Sequence, residues 1–333
     1  MTISRRLRRR LFRRRQSSQK STSGFTLLEL LIAVIIGSVI ISGLMYLVIE
    51  MLQIERRETA VDNTQRDMKR AMEYIASDVS EAIYVYVPVE GTGWPDAISN
   101  LGAIEDFNNV VLAFWRPDFE DDNDLPTDAA CDALPEEEEQ DCNNLRDRRG
   151  SYTLVVYEVI PNDAEPWDGE ARLVRHQLRK YSNLPDLMAN YEGDGPFDPE
   201  SGLAIFETWD PDDADINASD PEGDVLVDFV AHPTDDRLAE ASCDGVVLKG
   251  DEEVVQVPLP ETDTPRSFYT CIRPSVLNDE DNQSLEIFLR GDFEPRAGSN
   301  AALRTNALNT NSLLPTLRTG VFVQGIIGYD PDS

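Results

Sequence analysis

Few side chains in this 333-residue sequence form patterns that do chemistry, and most of those are acids. Glu29 stands at the front of an apolar run: Leu30–Ile49 is 20 residues without a charge. A carboxylate at the centre of a bilayer costs ~2.5–3.5 kcal/mol on insertion scales and less near the interface, so intramembrane acids generally keep a partner. The nearest bases lie across the interface, which points to a partner on another molecule. Hard-cation chemistry is the second candidate. Asp118–Cys142 holds 12 acids in 25 residues, and Asp210–Asp224 holds seven in 15, both without a base. Clustered carboxylates suit Ca²⁺, with Asp118, Asp121, Asp122 and Asp124, or Asp210, Asp212, Asp213 and Asp215, as suppliers. Neither stretch matches an EF-hand loop, and a solvated acidic loop explains both. No other cofactor is expected. Four cysteines allow two disulfides in an oxidising compartment, with three pairings open. Cys131 and Cys142 would close a small acidic loop, and Cys243 and Cys271 would tie two strand ends. Catalysis finds little support. His176 lies mid-strand on a mostly apolar face, His232 precedes Pro233, and no nucleophile elbow, zincin, P-loop or dinucleotide motif occurs.

The elements that must position these residues begin with a helix. At 1.5 Å per residue, Leu30–Ile49 spans ~30 Å, the thickness of a bilayer's hydrocarbon layer. Residues 1–24 carry eight Arg, one Lys and no acid. The positive-inside rule keeps that end cytoplasmic and sends the bulk of the chain outside. A cleaved signal peptide fits poorly, because the run is too long and no small-residue cleavage site follows it. Beyond the run, Val61, Met68, Met72, Ile75, Val79 and Ile83 mark one helical stripe, expected to be a core-facing side. Tyr84–Val87 before Pro88 is β-rich and closes the expected helix.

The remaining 309 residues carry 21 bases against 62 acids, a net charge of −41. Nucleic acid is therefore not an expected partner. Candidate strands are Val110–Trp115, Tyr152–Ile160, Leu173–Tyr181, Leu203–Thr208, Val225–Val230, Val254–Val257, Ser267–Ile272, Leu285–Arg290 and Val321–Ile327. Tyr152–Ile160 and Leu173–Tyr181 flank a turn-rich segment and should pair antiparallel. The expected class is α+β, a long helix packed on an antiparallel sheet.

The stretch Gly24-Phe25-Thr26-Leu27-Leu28-Glu29, with basic residues before it and about twenty apolar residues after it, resembles the class III signal of type IV prepilins and pseudopilins. The resemblance implies cleavage between Gly24 and Phe25 by a prepilin peptidase and methylation of the new amine on Phe25. It gives Glu29 the role of the family's acidic fifth residue, which pairs with a neighbouring subunit's N-terminal amine during assembly. The leader is long for the family. The proline often found midway along a pilin helix is absent, which implies a straighter helix.

The implied organisation is a basic leader at 1–24, a transmembrane half-helix at 25–49 and an amphipathic half-helix at 50–86. A soluble β-rich head follows at 88–333, with acidic insertions at 116–150 and 182–224. The helix-then-strands order resembles the larger minor pseudopilins of type II secretion. The segments SLEIFLRGD and LPTLRTGVFVQGIIG resemble a cyanobacterial pseudopilin family associated with hormogonium polysaccharide secretion. Implied partners are a prepilin peptidase, other pilins and an inner-membrane assembly platform. The implied location is the inner membrane as a single-pass protein with a periplasmic head, then a pilus or pseudopilus. The implied role is structural and non-enzymatic. Two other classes stay open: a permanently anchored acidic periplasmic binding protein, and a secreted hydrolase cleaved after Ile49.

Overall fold

The computed structural model describes residues 24–99, 101, 104, 106–119, 125–163, 165–179, 181–183, 188–189, 209, 223–235, 237–246, 248, 254–260, 267–273, 283–298 and 314–323. The chain divides into two compact units, Met1–Ile54 and Glu55–Ser333. Helix α1 (Leu27–Ser80) contributes to both.

In the first unit, α1 opens where the Thr26 side chain accepts from the Glu29 amide at 3.3 Å. That bond satisfies an amide the helix leaves orphaned. From Leu27 to Ile54 almost every side chain is exposed. Two hydroxyls in this apolar stretch bond back to the helix, Ser38 to the Ile35 carbonyl at 2.8 Å and Ser42 to the Ser38 carbonyl at 2.7 Å. Both serine hydroxyls are thereby satisfied within the helix, which suits a helix in lipid.

The second unit is a head built on residues 55–80 of α1. Their buried face is Ala60, Thr64, Met68, Ala71, Met72, Ile75, Asp78 and Val79, the 3–4 spacing of a core-facing helix. A five-stranded antiparallel sheet runs in the order β1-β2-β3-β4-β7. Its strands are β1 (Tyr84–Val85), β2 (Val110–Phe119), β3 (Gly150–Pro161), β4 (Ala171–Arg179) and β7 (Asp224–Val230). A four-stranded sheet runs β11-β10-β9-β8, made of β8 (Val255–Val257), β9 (Phe268–Arg273), β10 (Ser284–Arg290) and β11 (Thr316–Phe322). The short pair β5 (Tyr181–Asn183) and β6 (Met188–Ala189) stands apart. Both large sheets and α1 share one core, in which Met68, Met72, Ile75 and Val79 meet Val155, Tyr157, Leu173, Ile272, Leu285 and Ile287. The sheets join at Gly291, which bridges Val230. A side chain at Gly291 would press on Met68 Sδ and Thr64, so Met68 would have to shift to admit one, and glycine lets this junction approach α1 without that shift.

The antiparallel β3–β4 pair matches its expected hairpin. Three boundaries differ from expectation. Helix α1 ends at Ser80, not near 86. The Ile83 amide donates to the Trp115 carbonyl and the Tyr86 amide to that of Ala113, both at 2.8 Å, so this β-rich stretch becomes the edge of the sheet. The expected acidic loop at Asp118–Cys142 is not a simple loop. The short helix α2 (Asp96–Ser99) precedes strand β2, which runs on to Phe119, and the helices α3 (Asp128–Cys131) and α4 (Glu136–Arg148) follow. Four glutamates at the start of α4 suit the positive end of a helix dipole, and Thr127 caps α3 through the Ala130 amide. The final strand starts at Thr316, five residues before the expected Val321. It pairs with β10 along its length, from Thr316 opposite Arg290 to Phe322 opposite Ser284. The expected strand Leu203–Thr208 lies outside the described residues, as does nearly all of the insertion at 182–224.

Candidate functional site

The first candidate is the N-terminal segment. Gly24 has nothing within 4 Å of the place its side chain would occupy. Phe25 is 82% exposed, and Glu29 is exposed in the first turn of α1. The segment is thus an accessible backbone at Gly24–Phe25, followed by a carboxylate at the positive end of a helix dipole. Helix α1 is long and apolar enough to cross a membrane, and none of its apolar window is buried.

The second candidate is a buried ionic cluster within the head. Asp78, on the buried face of α1, accepts from Tyr157 Oη at 2.6 Å, Arg175 Nε at 2.8 Å and Arg116 Nη1 at 2.9 Å. Its partners stand on the neighbouring strands β3, β4 and β2. Arg175 and Asp78 are each only 3% exposed at the side chain, and the Tyr74 ring lies over the Arg175 guanidinium. Burial pushes the Tyr157 hydroxyl up, and the charge and hydrogen bond of Asp78 push it further, so it stays protonated. Burial disfavours the charge on Arg175, but its bond and ion pair with Asp78 outweigh that and hold it charged.

The third is a cage around Arg237. The guanidinium meets Asp292 at 2.8 Å, Glu294 at 3.1 Å and Glu170 at 3.5 Å, and it chelates Asp235. Burial alone would raise the Asp235 carboxyl, but the hydrogen bonds and charge of Arg237 bring it below the usual carboxylate range. Carboxylate oxygens of Glu170, Asp235 and Asp292 lie within 4.8 Å of one another, a spacing that could hold a cation. Arg237 already supplies the positive charge there, which makes the group an ion-pair junction between the start of β4, the loop after β7 and the segment after β10.

The other sequence-expected residues are scattered. Asp118 accepts from Thr153 Oγ1 at 3.0 Å and faces Arg179 at 3.6 Å, both ordinary protein partners. Asp121, Asp122, Asp124, Asp210, Asp212, Asp213 and Asp215 lie outside the described residues. Cys131 and Cys142 are bonded, with Cα atoms 5.5 Å apart, joining α3 to α4. Cys243 and Cys271 are bonded, with Cα atoms 5.7 Å apart. This second bridge ties a turn to the interior of β9, not two strand ends, because Cys271 stands mid-strand opposite Glu286. His176 is buried and meets Glu158 at 2.7 Å across the β3–β4 pair. His232 sits in the loop after β7 beside Thr234.

The Asp78 cluster and the Arg237 cage were not anticipated. Asp78 had a signal, since it falls three residues after Ile75 on the apolar stripe. Arg237 had none beyond Asp235 two residues before it, because Glu170, Asp292 and Glu294 are distant in sequence.

The family model of the prokaryotic N-terminal methylation motif matches residues 19–45. The chain carries a prepilin-type methylation motif, and the motif supports a type IV pilin- or pseudopilin-like role. No curated protein and no solved structure matches the chain. The motif implies processing by a prepilin peptidase and assembly with other pilins in a membrane. The long apolar helix fits membrane anchoring, and the helix-then-antiparallel-sheet order fits a pilin-like architecture.

Proposed function

We propose that this chain is a minor pilin or pseudopilin, a structural subunit of a type IV pilus or a type II secretion-like pseudopilus. The peptidase cuts after Gly24, Phe25 becomes the methylated first residue, and the membrane half of α1 packs among other subunits. The observation that carries this reading is the methylation motif at residues 19–45, set on a segment with an accessible Gly24–Phe25 bond and an exposed Glu29. In low dielectric, Glu29 of one subunit and the Phe25 amine of the next neutralise each other, and the pair sets their axial stagger.

The basic N-terminus stays cytoplasmic and the head is periplasmic before assembly, in line with the positive-inside rule. The long acidic segments favour a minor place at the tip or surface, since such a head would crowd a repeating lattice. The resemblance of SLEIFLRGD and LPTLRTGVFVQGIIG to the hormogonium family supports a role in polysaccharide secretion or motility. The role is mechanical, with no catalytic residue assigned. Calcium is retained only as a proposed ligand of the acidic segments.

Gly24→Val tests the processing step. A bulky residue at the cleavage position should leave uncut precursor in the membrane, about 24 residues heavier than mature chain. A variant that still yields protein starting at Phe25 would remove the main support for this reading.

A further inference from the structure

The apolar stripe that α1 lays on the head is nearly self-similar. Met68, Met72, Ile75 and Val79 recur every three or four residues. A slip of four residues, about 6 Å along the helix, puts Met68 in the place of Met72, Ala71 in that of Ile75 and Ile75 in that of Val79, and of this face brings only Thr64, a small side chain with a methyl group, into an apolar place, that of Met68. Methionine adapts to irregular gaps. Apolar packing therefore separates neighbouring settings weakly.

Asp78 separates them strongly. Among the described residues it is the only charged member of the buried face of α1. It engages donors from three adjacent strands, Arg116, Tyr157 and Arg175. After a slip of one turn toward the helix C-terminus, Tyr74 would stand where Asp78 stood. Arg175, 3% exposed at its side chain, would lose its carboxylate and keep its charge, an arrangement that is strongly unfavourable in a buried site. Three separate directions of hydrogen bonding also define the rotation of the helix, which a single contact would not.

We propose that Asp78 is a register key: it sets the axial position and rotation of helix residues 55–80 on the sheets. The role is specificity rather than net stability. Buried ion pairs often add little stability over an apolar replacement of similar volume, and selecting one register is their best-attested use. The inference concerns the head by itself and does not depend on whether the chain enters a filament.

The test uses the full chain in detergent, with spin labels at the exposed positions Lys69 and Phe119, and in a second preparation at Lys69 and Phe322. Electron–electron distance measurements on the otherwise native protein should give one narrow distribution for each pair. The triple replacement Asp78→Leu, Tyr157→Phe and Arg175→Met should melt cooperatively at an equal or higher temperature. It should nonetheless show a second distance population in at least one pair, arising from a helix displaced by about 6 Å. A folded triple variant with single, unshifted distributions in both pairs overturns the proposal. Should that variant not fold, Asp78→Asn decides by the same measurement. It keeps the size and a hydrogen bond to Tyr157 while removing the charge that discriminates against slippage. A second population upholds the key, and single unshifted distributions overturn it.

Discussion

Replacing Arg237 with methionine should destabilise the head through charge rather than through volume. The guanidinium is the common partner of Asp235, Asp292, Glu294 and Glu170. Asp292 is 0% exposed at its side chain, so water cannot take the place of the lost cation. Removing one partner of a buried ion pair costs ~3–5 kcal/mol. At roughly 2–4 °C per kcal/mol for a domain of this size, the melting temperature should fall by about 6–20 °C. The pH dependence has a definite sign. In the native protein Asp235 is held below the usual carboxylate range. Its contribution is therefore present above about pH 4 and lost as pH falls through the lower, folded value. In Arg237→Met the crowded carboxylates repel one another and take up protons more readily, so the deficit should narrow between pH 7.5 and pH 5. Arg237→Lys, which keeps a charge but not the planar fork, should fall between the two. Circular-dichroism melts of the full chain in detergent at both pH values check this. A loss below ~1 kcal/mol, or a deficit that widens in acid, would refute the cage as a stabilising junction.

Two further outcomes follow from the same geometry. Glu29→Ala should insert into the membrane as well as the native chain or better, because an acid in the apolar layer is disfavoured. It should be cut normally after Gly24 but be recovered poorly in sheared filaments or with co-purified pilins; equal recovery would remove the pairing role. Opening the Cys243–Cys271 bridge, which spans 28 residues, should cost about 3.6 kcal/mol by loop-closure entropy. Opening Cys131–Cys142, which spans 11, should cost about 2.8 kcal/mol on the same basis. Melts of the two paired-serine variants rank them, and the reverse order would show that loop length does not set their contributions.

Local patterns made the scaffold legible. The course of α1 followed from an unbroken apolar run and a 3.6-residue stripe. Most strands of the head followed from β-branched and alternating residues between turn signals, as in Leu285, Ile287 and Leu289 of β10. The end of α1 was less legible because Ile83–Tyr86 is claimed by β2, a pairing across some thirty residues that no local rule reports. Helix α4 was hidden by its acids, which look like a solvated loop until their place at a helix start is known. Among the candidate sites, Gly24, Phe25 and Glu29 form a contiguous motif and could be seen at once. The Arg237 cage unites residues 170, 235, 292 and 294, and only the fold brings them together. Asp78 lay between these cases, visible as a charge on an apolar stripe but without visible partners.

The most direct measurement is the mass and sequence of the mature N-terminus, taken from the membrane fraction of cells expressing the native chain with its prepilin peptidase. Processing after Gly24 predicts a chain that begins at Phe25 with a singly methylated amine, about 14 Da heavier than the unmodified cleavage product. A chain that retains residues 1–24, or one that begins after Ile49, would contradict it.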